Sequence, residues 1–142
     1  MELLRLVIFL VFATILSIYD IKLMQVPIFL MFAQLIVLLI FDFLFFKNDL
    51  LGNSIGATSC FLILFATYLL TKRKMGKGDV FYGLTVGWFL GSFLWLPALS
   101  AATVFGIIFL LLKRKNTKQK RIPFVPFMSL SSLCVSILYN TA

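Results

Sequence analysis

A chain of 142 residues that is 62% hydrophobic and only 13% charged carries too much apolar surface for a water-soluble fold, where about half the residues are apolar and about a quarter charged. The bilayer must therefore act as part of its solvent. The net charge of +8 does not indicate nucleic acid, because the basic residues fall mainly in two short runs, Lys72-Arg73-Lys74 and Lys113 through Arg121, each between apolar stretches. Runs so placed anchor helices to anionic headgroups, so the partners implied at this level are membrane lipids.

In chain order, six segments approach the roughly 17–20 apolar residues that a membrane crossing needs. They cover residues 3–19, 28–46, 50–71, 80–95, 97–112 and 123–139. The first has a nearly neutral flank and no A-x-A cleavage site, which marks it as a retained helix and not a signal peptide. Between the fourth and fifth stands Trp95-Leu96-Pro97. One helix over 80–112 would be about 50 Å long, too long for one bilayer, so a tight re-entry is expected there, with Pro97 in the first turn of the next helix. The expected fold is an all-α membrane protein, a six-transmembrane-helix bundle forming one domain over residues 1–142.

Orientation follows from the basic residues. Lys22, Lys72, Arg73, Lys74, Lys77, Lys113, Arg114, Lys115, Lys118, Lys120 and Arg121 fall in the first, third and fifth loops, leaving only Arg5 and Lys47 of the thirteen on the other side. The positive-inside rule then places those three loops in the cytoplasm and both termini outside, in a multi-pass cytoplasmic (inner) membrane protein. Cys60 and Cys134 stand singly within apolar segments and read as reduced thiols used as small hydrophobes.

The chemistry must come from few groups. Histidine is absent, which removes Ser-His and Cys-His catalysis and the HExxH zinc site; no metal and no cofactor is expected. The five acidic residues are Glu2, Asp20, Asp42, Asp49 and Asp79. By the topology above, Glu2, Asp42 and Asp49 lie toward the outer face without a catalytic role. Asp20, ending the first helix, and Asp79, beginning the fourth, are the carboxylates of the cytoplasmic boundary. Each could simply neutralise a neighbour such as Lys22 or Lys77, yet an ionisable group at membrane depth is a functional candidate by default.

Gly83, Gly87 and Gly91 continue the four-residue spacing that starts at Asp79, and Ala13, Ser17 and Asp20 repeat it more weakly. Residues four apart share a helix face, and small faces let backbones approach closely in lipid. If these two stripes pack together, the aspartates meet; Gly52 and Gly56, and Ser129, Ser132 and Ser136, would add further close contacts. Two facing carboxylates at the edge of a low-dielectric bundle share one proton, giving one base for water and one acid for a peptide carbonyl or amine.

Gly76-Lys77-Gly78-Asp79 has the form GxGD, Asp20 is followed by Val26-Pro27, and Ile122-Pro123-Phe124-Val125-Pro126-Phe127 resembles an IPFGPF element. Together with the order and spacing of the segments, these make the chain resemble the type IV prepilin peptidases, GxGD-type membrane aspartyl proteases, over nearly its whole length. The resemblance implies an intramembrane aspartyl endopeptidase that removes the leader of prepilins or pseudopilins at the cytoplasmic face. It makes Asp20 and Asp79 the catalytic pair, lets Gly76 and Gly78 keep the backbone open beside an extended substrate strand, and has Pro123 and Pro126 break the start of the last helix beside the site. The family often has Lys where this chain has Phe81, and Gly where it has Val125. Longer members carry a four-cysteine insertion and N-methylate the product; no loop here is long enough for that insertion, so the chain resembles the compact protease-only form. The alternatives are a small ion- or proton-coupled transporter subunit using the same aspartates, and an inactive pilus-assembly scaffold of the same fold.

Overall fold

The computed structural model describes residues 2–23, 26–46, 49–71, 76–113 and 123–141. It is all helical: α1 (Glu2–Leu23), α2 (Ile28–Phe45), α3 (Leu50–Leu70), α4 (Lys77–Lys113) and α5 (Val125–Thr141). Four stretches, Leu3–Leu23, Ile28–Phe45, Leu50–Leu70 and Lys77–Phe109, are long and apolar enough to cross a membrane, and Val125–Tyr139 is a shorter apolar helix. Large apolar side chains line the outside, among them Leu3, Phe29, Leu51, Leu70, Phe93 and Leu112, while Phe9, Leu16, Leu38, Cys60, Tyr82, Val86, Val125 and Met128 fill the centre. Greasy residues on both sides of a helix wall are what a lipid solvent permits.

The structure corrects where the fourth apolar stretch breaks. Helix α4 runs through Trp95 and Pro97, and its one non-helical residue is Gly91, at φ 77° and ψ −163°. That conformation is closed to residues with a Cβ, so the chain reverses at the glycine. Contacts on either side of Gly91 bear the reversal out. Tyr82 reaches Ser129 with its hydroxyl, yet Gly106 lies beside the Phe124 ring and Phe109 packs on Phe127 at 5.5 Å. Residues 82 and 106 would stand about 36 Å apart on a straight helix, so both can meet the first turns of α5 only if the limbs 77–90 and 92–113 fold back on each other.

Helix pairing also departs from the expected match of the α1 and α4 small-residue stripes. The α4 glycines face α3: a Cβ on Gly56 would overlap the carbonyl oxygens of Gly87 and Gly91, and one on Gly83 would overlap Leu64. Backbone-to-backbone approach maximises van der Waals contact, the main attraction available between helices in lipid. Helix α1 instead lays Ser17 against Ser129 of α5 and stacks Phe9 on Phe89 of α4 with ring centroids 4.1 Å apart. Gly52 has no neighbour within 4 Å of an added Cβ and takes no part in the close contacts.

Candidate active site

Asp20 lies in the last turn of α1 and is buried, 6% exposed. Its partner comes from the other end of the chain: the Val125 amide donates to Asp20 Oδ2 at 3.1 Å, with the Phe124 amide as a second backbone donor directed at the same carboxylate. The local sequence explains the bond. Helix α5 begins at Val125, with the Phe124 carbonyl accepting from Met128 N. The first amides of a helix have no internal partner and favour an acceptor of negative charge. Pro123 and Phe124 offer no capping side chain, so the carboxylate of α1 fills that role. Pro126, the second helical residue, lacks only an N–H that the helix could not have used. Pro123 is buried and Pro126 half-buried at this junction.

Asp79 occupies the first turn of α4, where its own N–H donates to the Gly76 carbonyl at 3.2 Å. Its carboxylate reaches back to the Gly76 amide, the reciprocal contact that an acidic third residue makes in a capping box. A side chain at Gly76 would begin 3.0 Å from Asp79 Oδ2. Gly78 has a different neighbour, since a Cβ there would stand 3.0 Å from Cβ of Val26. The two motif glycines thus clear space for the carboxylate and for the Val26-Pro27 segment that follows α1. Of the described residues that the sequence singled out, Gly76, Gly78, Asp79, Asp20, Pro123 and Pro126 come together at one end of the bundle. Asp20 and Asp79 lie close enough for the charge of one to act directly on the other. The runs Lys72–Lys74 and Arg114–Arg121 lie outside the described residues.

Around this pair stand groups the sequence did not single out for a role at the site. One turn deeper, Tyr82 donates to Ser129 Oγ at 3.4 Å, Ser17 Oγ lies 3.3 Å from the same oxygen, and Ser129 bonds the Val125 carbonyl at 2.5 Å. At the opposite end is a second polar cluster, built around Asp42, whose partners the sequence did not single out. It is fully buried, and its Oδ2 accepts from Arg5 Nη2 at 2.9 Å, Trp88 Nε1 at 2.9 Å and Asn53 Nδ2 at 3.1 Å. A lone Arg in the first apolar segment and a lone Asp at matching depth in the antiparallel second were the available signal. The departures Phe81 and Val125 are also accounted for by packing: Phe81 meets Phe32 and Phe61 at 6.2 and 6.0 Å, and Val125 is fully buried.

A model of the type IV leader peptidase family matches residues 7–111, which include Asp20 and the whole Gly76–Asp79 motif. The chain belongs to the type IV leader peptidase family. It is also 35% identical over 95 residues to a prepilin leader peptidase/N-methyltransferase of Haemophilus influenzae, an alignment that takes in 60% of this chain. The chain spans 39% of the length of that relative. No solved structure matches it. Family membership agrees with the resemblance carried by the GxGD and Val-Pro motifs, while the Pro123–Phe127 element lies beyond the matched residues.

Proposed function

We propose that this chain is an aspartyl endopeptidase that removes the leader of prepilins or pseudopilins at the cytoplasmic face of the inner membrane, with Asp20 and Asp79 as its catalytic pair. The observation that carries the reading is the convergence of these two buried carboxylates, from helices far apart in sequence, in a member of a leader peptidase family. Two backbone amides, Val125 and Phe124, are directed at Asp20 against one, Gly76, at Asp79, and amides can only donate, so Asp20 is the better suited to stay an acceptor while the shared proton sits on Asp79. Water attacks the scissile carbonyl carbon as Asp20 takes its proton and Asp79 protonates the carbonyl oxygen. Collapse of the tetrahedral species breaks the C–N bond: the proton on Asp20 goes to the leaving amine, and Asp79 takes back a proton from a diol hydroxyl as the new carboxyl forms, which restores the starting pair.

The orientation is part of the proposal. Lys22 and Lys77 are exposed beside the two aspartates, and Lys113 ends the returning limb of α4. Positive charge gathered at the carboxylate end supports a cytoplasmic site. The reversal at Gly91 supports six crossings with both termini outside.

The test is co-expression with a reporter that carries a short basic leader ahead of an apolar helix. Wild type should shift its mass by the length of the leader. Asp20→Asn and Asp79→Asn should each abolish the shift, and the double variant should be scarcely worse than either. Retention of more than roughly a tenth of wild-type turnover by either single variant, a loss under about 1.4 kcal/mol, would exclude that aspartate from catalysis. Ion uptake abolished by Asp20→Asn, with no cleavage, would transfer the aspartates to the transporter reading.

A further inference from the structure

The three elements that build the candidate site carry matched hydroxyls one helical turn deeper. Ser17 precedes Asp20 by three residues on α1, Tyr82 follows Asp79 by three on α4, and Ser129 follows Val125 by four on α5. Such spacings keep each pair on one helix face. Tyr82 is completely buried and Ser129 nearly so. The Gln34 amide of α2 lies toward the same tyrosine hydroxyl and donates to the Phe9 carbonyl at 3.5 Å.

Proton inventory gives the cluster one orientation. Ser129 has a single hydroxyl proton, and the 2.5 Å contact commits it to the Val125 carbonyl. Its oxygen then has two acceptor sites left, which Tyr82 and Ser17 fill as donors at 3.4 and 3.3 Å. Sliding any one of the three helices along its axis breaks at least one of these bonds, and those of Tyr82 and of the Val125 carbonyl to Ser129 are buried from replacement by water. The same slide would move Asp20, Asp79 or the Val125 amide by the same distance.

We propose that the Ser17–Ser129–Tyr82 hydroxyl cluster is a positioning layer that sets the relative depth of α1, α4 and α5, and with it the spacing of the Asp20 and Asp79 carboxylates. The inference rests on the catalytic reading of the two aspartates. The three residues touch no substrate in this scheme and act through the carboxylates above them. Catalysis by a proton-sharing pair is sensitive to such spacing, since a shift of about 1 Å can cost a hundredfold in rate.

The decisive comparison is Ser129→Thr against Ser129→Val, which give side chains of the same shape that differ in the hydroxyl alone. With the basic-leader reporter, Ser129→Val should lower kcat at least roughly tenfold below Ser129→Thr at unchanged KM, because no binding surface is altered. Tyr82→Phe, which removes one oxygen and adds nothing, serves as the second variant. An activity-independent arm uses the exposed pair Lys22→Cys and Lys77→Cys, spin-labelled in a Cys60→Ala, Cys134→Ser background. The distance distribution between labels should be narrow with Ser129 in place and in Ser129→Thr, and should broaden or shift in Ser129→Val and Tyr82→Phe. Unchanged distributions in both of the latter variants overturn the proposal, whatever the Asp20→Asn and Asp79→Asn variants do. If those two stay active, the catalytic reading fails, and the distance data still report whether the cluster sets helix depth.

Discussion

Asp42 offers a strong test of how this bundle is held together away from its candidate chemistry. Its Oδ2 gathers three donors, from α1, α3 and α4, while its Oδ1 and the Arg5 Nε are buried without a hydrogen-bond partner. Asp42→Ala removes the acceptor and leaves the Arg5 guanidinium without its counter-charge. Breaking a buried pair from one side costs about 3–5 kcal/mol. Arg5 keeps partial compensation from the Trp88 carbonyl at 3.3 Å and from the Phe89 and Phe46 rings at 5.3 and 5.9 Å, so the low end of about 3 kcal/mol is expected. That is a loss of roughly two orders of magnitude in the folding equilibrium. Titration of the purified protein in mild micelles with a denaturing detergent would measure it, with Trp88 fluorescence as a probe that contacts the site directly. Because the pair leaves two buried atoms unsatisfied, replacing both members with apolar residues, Arg5→Met with Asp42→Leu, should recover most of the loss. A loss below about 1 kcal/mol for Asp42→Ala, or a double variant as weak as the single, would refute the argument that this pair is a buried constraint.

Gly87→Leu should abolish folding or activity although it is remote from both aspartates, since its Cβ would overlap the Gly56 carbonyl and press on Ala57; Gly52→Leu, with open space around it, should behave as wild type when folded yield and reporter cleavage are compared. Reporter fusions after residues 75 and 117 should read cytoplasm, and those after 48 and 142 should read outside; an inside C-terminus would remove the six-crossing proposal. The pH–rate profile of cleavage should fall on both sides, because one carboxylate must be charged and its partner protonated; a profile with a single limb would refute proton sharing.

The sequence exposes the parts of this fold that depend on composition and on backbone conformation. Apolar runs mark α2 and α3 nearly to the residue and α1 except for its last turn, which continues to Leu23, because the length of a crossing and the scarcity of charge within it are one-dimensional properties. A reversal in α4 is legible too, but the sequence alone points to Trp95–Pro97. Proline at 97 removes one hydrogen bond and crowds the carbonyl four residues back, yet α4 continues through it, whereas the chain reverses through a backbone state open to glycine, so Gly91 is the stronger mark. Helix partners are not legible, since the spacing of Gly83 and Gly87 says that something approaches closely but not whether it is α1 or α3. The same limit hides the Val125 amide and the Arg5–Asp42 pair, which exist through contacts across 105 and 37 residues of chain.

The two positions where this chain departs from the motifs it otherwise resembles illustrate how such contacts decide which differences matter. Val125 stands where glycine is usual, yet what it gives Asp20 is a main-chain N–H, and any residue except proline supplies one. The exchange therefore alters packing at the base of α5 while leaving the hydrogen bond to the carboxylate in place. Phe81 stands where lysine is common, two residues beyond Asp79, which at about 100° per residue turns it to the opposite side of α4. Its neighbours there are Phe32 and Phe61, with Phe65 stacked on Phe61 at 5.8 Å. An aromatic face on α2, α3 and α4 has taken the place of a charged one, without adding or removing a charge on the Asp20 side. Both departures therefore bear on the walls around the candidate pair, and the aspartates keep the backbone partners that hold them.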